Sequence, residues 1–200
     1  MIRRGFLQAL MLAGIALASP TIAQEVDDNN VLVLEISGEA NGIVEILLRP
    51  DLAPLHVAQI TSLARAGAYN GVAFHRVIDG FMAQTGDVQF GSVANYDGRM
   101  AGRGGSALPD IPAEFSDLAF ETGVVGMARS NNPDSANSQF FIMFDRAASL
   151  DGSYTVFGRV IEGMDVINAI KRGSARANGA VAENPDFINR AWIKGDGPPE

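Results

Sequence analysis

The 200-residue chain contains no cysteine. This absence excludes disulfides, thiolate catalysis and metal sites with cysteine ligands. Histidine is also scarce, because only His56 and His75 are present and they do not form the closely spaced pair that a zinc motif requires. The sequence therefore predicts an activity that uses no metal and no other cofactor.

Basic residues are fewer than acidic ones, at 15 against 23, and the formal net charge is −8. Loss of residues 1–23 would remove two arginines and no acidic residue, which changes that charge to −10. An acidic surface repels nucleic acid and anionic membranes. We therefore expect no nucleic-acid partner, and no membrane partner once residues 1–23 are removed.

Residues 1–23 have the features of an export signal. Arg3 and Arg4 precede an apolar run over residues 6–18, and the segment ends at Ala23, a small residue that signal peptidase accepts. The run is shorter than the ~20 apolar residues of a membrane span. A membrane anchor or a buried N-terminal helix is the alternative, and the general secretory and twin-arginine routes both stay open. We predict a periplasmic protein cleaved before Gln24.

The rest of the chain has the composition of one globular domain. Hydrophobic residues make up 47% of the sequence and charged residues 19%, which is enough apolar surface for a single core. Residues 24–30 are polar and acidic and are predicted to form a flexible linker. We assign the folded domain to residues 31–195 and a tail to residues 196–200, and we expect a monomer.

Short apolar segments separated by turns predict eight strands and two helices. Apolar residues recur at helical spacing over residues 55–66, and a second helix is predicted over residues 163–173, with Lys171 and Arg172 in its last turn. Residues 173–185 are assigned to a loop of small residues. Many short strands with two separated helices predict a closed or nearly closed antiparallel β-barrel. The predicted strands cover residues 31–36, 43–48, 123–129, 139–144, 155–161 and 187–193, with two more inside 74–87.

The segment 74–87 places a charge in an apolar setting. Side chains alternate along a strand, so Arg76 shares one face with Phe74 and Ile78. Gln139 and Phe141 share a face in the same way on a later strand. A structural ion pair is the alternative for Arg76, but such a pair is a weak source of stability. We therefore predict that Arg76 faces a polar cleft.

The two histidines, Glu114 and a glycine-rich segment lead to further expectations about the site. His56 is expected on the solvated surface of the first helix, and His75 on the strand face opposite Arg76, in a structural role. Glu114 either caps or pins a loop or is simply solvated. The glycine-rich residues 90–112 are expected to wall a groove, because long loops inside compact domains are usually functional.

Four segments of the domain carry a resemblance to a known family. Residues 74–87, 126–128, 138–142 and 150–158 resemble, in order and approximate spacing, the signature segments of the cyclophilins, which are peptidyl-prolyl cis-trans isomerases. The likeness runs from about residue 31 to residue 193. It implies an all-β dominated fold, a closed eight-stranded antiparallel barrel with an α-helix capping each end, and a binding groove on the outside of the barrel.

The resemblance also implies roles for individual residues. Arg76 matches the catalytic position, and Gln84 and Arg129 match positions that contact the substrate backbone, although the family often has Asn where this chain has Arg129. Ordinary core packing is the alternative for the apolar residues of the set. The proline pocket is assigned to Phe81, Met82, Phe141 and Leu150, and Ala128, Gln139 and Tyr154 are placed in the same groove.

The implied activity is rotation about X-Pro bonds in proline-containing polypeptides, here in exported proteins. One alternative is a chaperone-like groove that binds such segments without appreciable turnover. Another is a lipocalin-like carrier with its ligand inside the barrel, which needs a hollow interior. The dense Phe, Ile and Met content favours a filled interior.

The export hypothesis predicts the first residue of the mature protein. We expect the protein recovered from the periplasm to begin at Gln24, since signal peptidase requires a small residue before the cleaved bond. Intact-mass measurement checks this, and Ala23→Phe should retain the precursor. Recovery of the uncleaved chain in the cytosolic fraction would contradict the hypothesis.

Overall fold

The structure is a computed structural model that describes residues 26–199. The predicted signal peptide lies outside these residues. Residues 28–30 of the predicted linker form a short 3-10 turn, which lies beside a second such turn at residues 194–196. The strands are β1 (Val31–Ser37), β2 (Gly42–Leu48), β3 (Val72–Ala73), β4 (Arg76–Ile78), β5 (Met82–Thr85), β6 (Val124–Met127), β7 (Phe140–Met143), β8 (Val156–Glu162) and β9 (Phe187–Ile193), and the helices are α1 (Pro54–Arg65) and α2 (Met164–Ala169).

Helix α1 confirms the helix that was predicted from the spacing of apolar residues over residues 55–66. Pro54 occupies its first turn, where a missing N–H costs no hydrogen bond. Val57, Ile60 and Leu63 lie on its buried face, and the helix packs against β9. Within residues 26–199, no helix has the length and apolar content needed to cross a membrane.

The strands form one antiparallel sheet in the order β3-β9-β1-β2-β8-β6-β7-β5-β4. The predicted closed barrel of eight strands is wrong, because the sheet has nine strands and no ladder joins its ends, β3 and β4. The cause is an interruption at Phe74 and His75. The chain before this point pairs with β9, and the chain after it pairs with β5. The sheet is therefore open and curled, although the all-β dominated architecture with two helices is confirmed.

Helix α2 is shorter than predicted. It ends at Ala169, because Ile170 adopts an extended conformation with φ −56° and ψ 133°. The Lys171 amide then donates to the buried carboxylate of Asp186 at 2.7 Å, and the same carboxylate accepts from the Ala40 amide at 2.8 Å. Lys171 and Arg172 therefore lie beyond the helix, and the prediction that they occupy its last turn is wrong.

The two faces of the sheet carry separate apolar clusters. On β7 the side chains of Phe140 and Ile142 join the main core, while those of Phe141 and Met143 join a smaller cluster on the other face. The main core is filled, and the Phe140 ring packs edge-on against Tyr69 and Phe157 at centroid distances of 5.6 and 5.9 Å. A second apolar surface therefore lies on the outer face of β5, β6 and β7.

His56 is buried, so its predicted surface position is wrong. Its side chain is 0% exposed, and its Nδ1 lies 2.6 Å from Glu114 Oε2. The Glu114 carboxylate also accepts from the amides of Leu55 and His56 at 3.1 Å. Burial lowers the pKa of His56, and Glu114 opposes that shift. The capping interpretation of Glu114 is confirmed, since Ala53 at the start of α1 offers no side-chain acceptor.

Removal of the Glu114 carboxylate should destabilise the fold. We expect Glu114→Ala to lower the free energy of unfolding by about 1–3 kcal/mol, because amide donors at the start of α1 and the buried His56 ring lose their acceptor. Urea denaturation measures this. Glu162→Ala, which removes an exposed carboxylate, is the matched control and should change stability by less than about 0.5 kcal/mol. Equal effects in the two variants would contradict the capping role.

Candidate active site

The β4–β5 hairpin brings Arg76 to the outer face of the sheet. Its turn contains Gly80, at φ 65°, as the Asp79-Gly80 pattern predicts. Within the hairpin Arg76 lies opposite Gln84, and Gln84 lies opposite Phe141 on β7. Residues directly opposite each other share a face, so these three side chains stand side by side.

A chain of hydrogen bonds holds the Arg76 guanidinium. Arg76 Nη1 donates to Gln84 Oε1 at 3.1 Å, and Gln84 Nε2 donates to Gln139 Oε1 at 3.0 Å. Gln139 Nε2 then donates to the Gly104 carbonyl at 2.8 Å. Each glutamine accepts at its oxygen and donates at its nitrogen, so the orientation of both amides is fixed.

Asn178 is a contact of Arg76 that the sequence analysis missed. Its backbone oxygen accepts from Arg76 Nε at 3.0 Å, and its Oδ1 accepts from Arg76 Nη2 at 3.1 Å. It has φ 53° and is followed by Gly179, where a Cβ would collide with Ile78. The Asn-Gly dipeptide, typical of positive φ, was the available signal inside the small-residue loop.

The acceptors around Arg76 are all uncharged. Within residues 26–199, no carboxylate forms an ion pair with Arg76. The side chain is half-buried, and burial lowers its pKa, but a guanidinium keeps its proton in proteins. The alternative of a structural ion pair therefore has no support in the described part of the chain.

A cavity of about 170 Å³, lined mostly by apolar side chains, lies beside Arg76. Phe141 forms part of its wall, stacked on Phe120 at 5.7 Å and edge-on to Tyr154 at 5.9 Å. Leu150 enters from a 3-10 turn at residues 148–150. Nine of the ten predicted site residues line this cavity: Arg76, Phe81, Met82, Gln84, Ala128, Arg129, Phe141, Leu150 and Tyr154.

The tenth predicted residue, Gln139, lines a larger neighbouring cavity of about 510 Å³. The two cavities share Gln84, Ala128 and Arg129, so they adjoin each other, and we call the two together the groove. Residues 102–106 of the glycine-rich segment form a wall of the larger cavity, as expected. The arrangement offers a mostly apolar pocket with a fixed cation at its rim and a polar extension at its side.

Comparison with known families agrees with this geometry. Residues 31–191 match the family described as "Cyclophilin type peptidyl-prolyl cis-trans isomerase/CLD". The chain belongs to this family. It is therefore an enzyme of the peptidyl-prolyl cis-trans isomerase class.

Individual relatives extend the cyclophilin match over most of the chain. A protein of Brucella suis named "Probable peptidyl-prolyl cis-trans isomerase" is 54% identical over 194 residues, which cover 96% of this chain and 97% of that protein. A "Peptidyl-prolyl cis-trans isomerase" of Acinetobacter baylyi is 34% identical and covers 81% and 80%. The crystal structure of a cyclophilin from Hirschia baltica matches with a TM-score of 0.70 and 29% identity, over 87% of this chain and 77% of that one.

The groove wall of this cyclophilin is anchored from inside the fold. The buried carboxylate of Asp87 accepts from the amides of Gly102 at 2.7 Å and Gly104 at 3.0 Å through Oδ2. Its Oδ1 accepts from the amides of Gln89 and Phe90 at 3.1 and 2.9 Å. The Gly104 carbonyl that ends the hydrogen-bond chain is therefore held in place by an acidic residue that does not line the groove.

His75 is buried behind the groove of this cyclophilin. It is 5% exposed, and neither ring nitrogen has a hydrogen-bond partner among the described residues. Burial lowers the pKa of His75 to about 4, and the nearby Asp87 carboxylate opposes the shift. A Cβ at Gly102 would lie 2.8 Å from its ring, which shows how closely the groove wall packs on it. The imidazole is neutral near pH 7 and fills space. Within residues 26–199, no group of metal-ligating side chains could hold a metal ion.

The low pKa of His75 predicts a loss of stability in acid. Below pH ~6.5 the unfolded chain gains a proton at His75 that the folded protein does not accept until about pH 4. The free energy of unfolding should therefore fall by about 3 kcal/mol from this residue alone as the pH drops across that interval.

Urea denaturation of the wild type and His75→Gln at several pH values tests this. The difference in stability between the two proteins should shrink as the pH falls from 7 toward 4, because glutamine does not titrate. Subtracting the two curves cancels the contributions of the carboxylates and of His56. Parallel curves would show that His75 is not the residue responsible.

Proposed function

We propose that this cyclophilin accelerates rotation about X-Pro bonds of exported proteins by non-covalent stabilisation of the twisted amide. One observation carries the proposal. A half-buried guanidinium, which has no carboxylate partner among residues 26–199, is fixed by Gln84 and Asn178 at the rim of a cavity of about 170 Å³ that is lined mostly by apolar side chains. A cation held by neutral acceptors keeps its charge available for a substrate.

The reaction requires no covalent step. Rotation about a peptide bond faces a barrier of ~18–20 kcal/mol, because resonance between the amide nitrogen and the carbonyl is lost midway. Only interactions that are stronger in the twisted state than in either planar isomer lower that barrier. As resonance is lost, the proline nitrogen regains its lone pair and becomes a hydrogen-bond acceptor. A donor placed beside that nitrogen therefore acts selectively on the transition state.

Arg76 has donors to spare for this role. A guanidinium carries five N–H groups, and the bonds to Asn178 O, Asn178 Oδ1 and Gln84 Oε1 occupy three of them. One N–H of Nη2 stays available, and among the described residues the only further contact of Nη1 is with Met82 Sδ, a weak acceptor at 3.9 Å. Because the group is already oriented, donating to the proline nitrogen requires little further reorganisation.

The smaller cavity supplies the grip on the proline ring. Met82 and Phe141 are buried and form its base, while Phe81, Leu150 and Tyr154 are partly exposed at its opening. Rotation about the X-Pro bond requires that the proline ring is held while the preceding carbonyl turns. Gln84, Gln139, Ala128 and Arg129 lie along the groove, where we place contacts to the substrate backbone.

The exported role rests on the sequence of residues 1–23. A basic start, a short apolar run and a small residue at position 23 support secretion and cleavage. We propose that the mature protein acts as a monomer in the periplasm on proline-containing segments. Cysteine is absent, so the fold is compatible with an oxidising compartment without the need for disulfides.

The role of Arg76 is tested by exchange NMR on an Ala-Pro peptide, without a coupled protease. We expect Arg76→Ala to lower the catalysed exchange rate by roughly 10²-fold, the effect of losing one preorganised donor to a transition state. Arg76→Lys should be intermediate, since it keeps the charge and loses the planar fork. Asn178→Ala should lower the rate several-fold, because its backbone oxygen still holds Nε.

Arg159→Ala removes an exposed arginine outside the groove and serves as the control. Equal exchange rates for the wild type and Arg76→Ala would remove Arg76 from the mechanism. Peptide binding without any acceleration by the wild type would instead support the chaperone-like alternative. The filled core counts against the carrier alternative.

A further inference from the structure

Most of the arginines and lysines in the described part of the chain are paired with a carboxylate, but some are not. Residues 26–199 contain eleven arginines and two lysines. Seven of these arginines and both lysines lie within 4.0 Å of a carboxylate oxygen. Within the described residues, the arginines without such a partner are Arg76, Arg103, Arg129 and Arg176.

Three of these four arginines lie on the same groove. Arg76 lines the smaller cavity, Arg103 lines the larger one, and Arg129 lines both. The fourth, Arg176, is exposed on a 3-10 turn and lines neither cavity. The formal net charge of the protein is −8, yet three of the four unpaired arginines within residues 26–199 lie at the groove.

Arg129 is fixed in place without being neutralised. Its Nη1 donates to the Ser130 carbonyl at 2.9 Å and its Nη2 to the Ser153 carbonyl at 2.8 Å. The guanidinium lies 4.2 Å above the centre of the Tyr154 ring. Its buried Nε has no partner among the described residues. Carbonyls and an aromatic face orient a cation without cancelling its charge.

One carboxylate, that of Asp110, lines the larger cavity as well. It is exposed, and its Oδ1 accepts from Asn137 Nδ2 at 3.0 Å. Among the residues that line the two cavities, three guanidinium groups stand against this one carboxylate, while the Asp87 carboxylate is buried behind the wall and bound by four backbone amides. The lining of the groove is therefore positive. Clefts concentrate such a field, and it acts over about 10 Å at moderate ionic strength. A chain lying in the groove would feel this local charge more than the net charge of the protein.

We propose that this groove selects proline-containing segments that carry an acidic side chain two or three residues from the proline, with Arg103 and Arg129 as the residues that bind it. The inference rests on the proposed function, since it assumes that the proline ring occupies the smaller cavity. An extended chain advances by about 3.3–3.6 Å per residue, so a side chain at that separation lies over the adjoining larger cavity. Guanidinium groups bind carboxylates with paired donors, which makes Asp and Glu the matching side chains.

Two sets of short Ala-based peptides test the charge preference. Each peptide contains one proline, with Glu, Gln or Lys placed two or three residues before it in one set and two or three residues after it in the other. We expect the catalysed exchange rate by NMR to follow the order Glu, Gln, Lys in at least one set. The ratio of Glu to Lys should be about three- to tenfold at low salt, the effect of an exposed or partly buried charge pair. It should decrease as salt is added. Equal rates for Glu and Lys in both sets would overturn the proposal.

Variants identify the arginine that makes the selection. Arg103→Gln should lower the ratio of Glu to Lys, and Arg103→Glu should reverse the preference. Arg176→Gln is the matched control, because it removes the same charge from an unpaired arginine outside the groove. If Arg176→Gln lowers the ratio as much as Arg103→Gln does, the preference comes from overall charge and the assigned binding residues are wrong.

The same samples separate this proposal from the proposed function. If no peptide is accelerated, the isomerase mechanism fails, and the preference is measured instead from dissociation constants obtained by chemical-shift titration of the same peptides. Tighter binding of Glu than of Lys peptides would then support the selection on its own. If all peptides are accelerated alike and bind alike, the isomerase stands and the selection is absent.

Discussion

The interaction on which the site depends is the contact of one half-buried guanidinium with neutral acceptors. A carboxylate partner would orient Arg76 equally well, but it would also cancel the charge. Amide and carbonyl oxygens orient the group and leave it cationic. This choice places a demand on the fold, because Gln84 lies on β5 and Asn178 lies in the loop before β9. The hydrogen-bond chain continues through Gln139, which precedes β7, to Gly104 in the glycine-rich loop. These elements are far apart in sequence and are brought together only when the sheet curls.

The curl of the sheet explains why two separate apolar clusters exist. The inner face of the strands packs the main core, while the outer face of β5, β6 and β7 carries a smaller cluster around Phe141. If all of these side chains joined one core, the outer face would carry no apolar surface. Here the alternation of side chains along β7 contributes to both clusters, since neighbouring residues of this strand belong to different clusters.

Local patterns of the sequence predicted most of the strands and the first helix. Residues 187–193 were predicted as a strand and match β9, and residues 55–66 match α1 within one residue at each end. Three features were not predicted, because each depends on a residue that is distant in sequence. The burial of His56 depends on Glu114, the end of α2 depends on Asp186, and the place of Asn178 depends on Arg76. Closure of the barrel was wrong because a two-residue interruption cannot be read from strand propensity.

The anchoring of the groove wall makes the position of the loop independent of the side chain at position 103. Asp87 holds the loop through the backbone amides of residues 102 and 104, and the side chain at position 103 takes no part in that anchoring. A position whose neighbours are fixed through the main chain can change its side chain without moving the loop. A change of charge at this position would therefore leave the geometry of the guanidinium, the two glutamines and the smaller cavity unchanged.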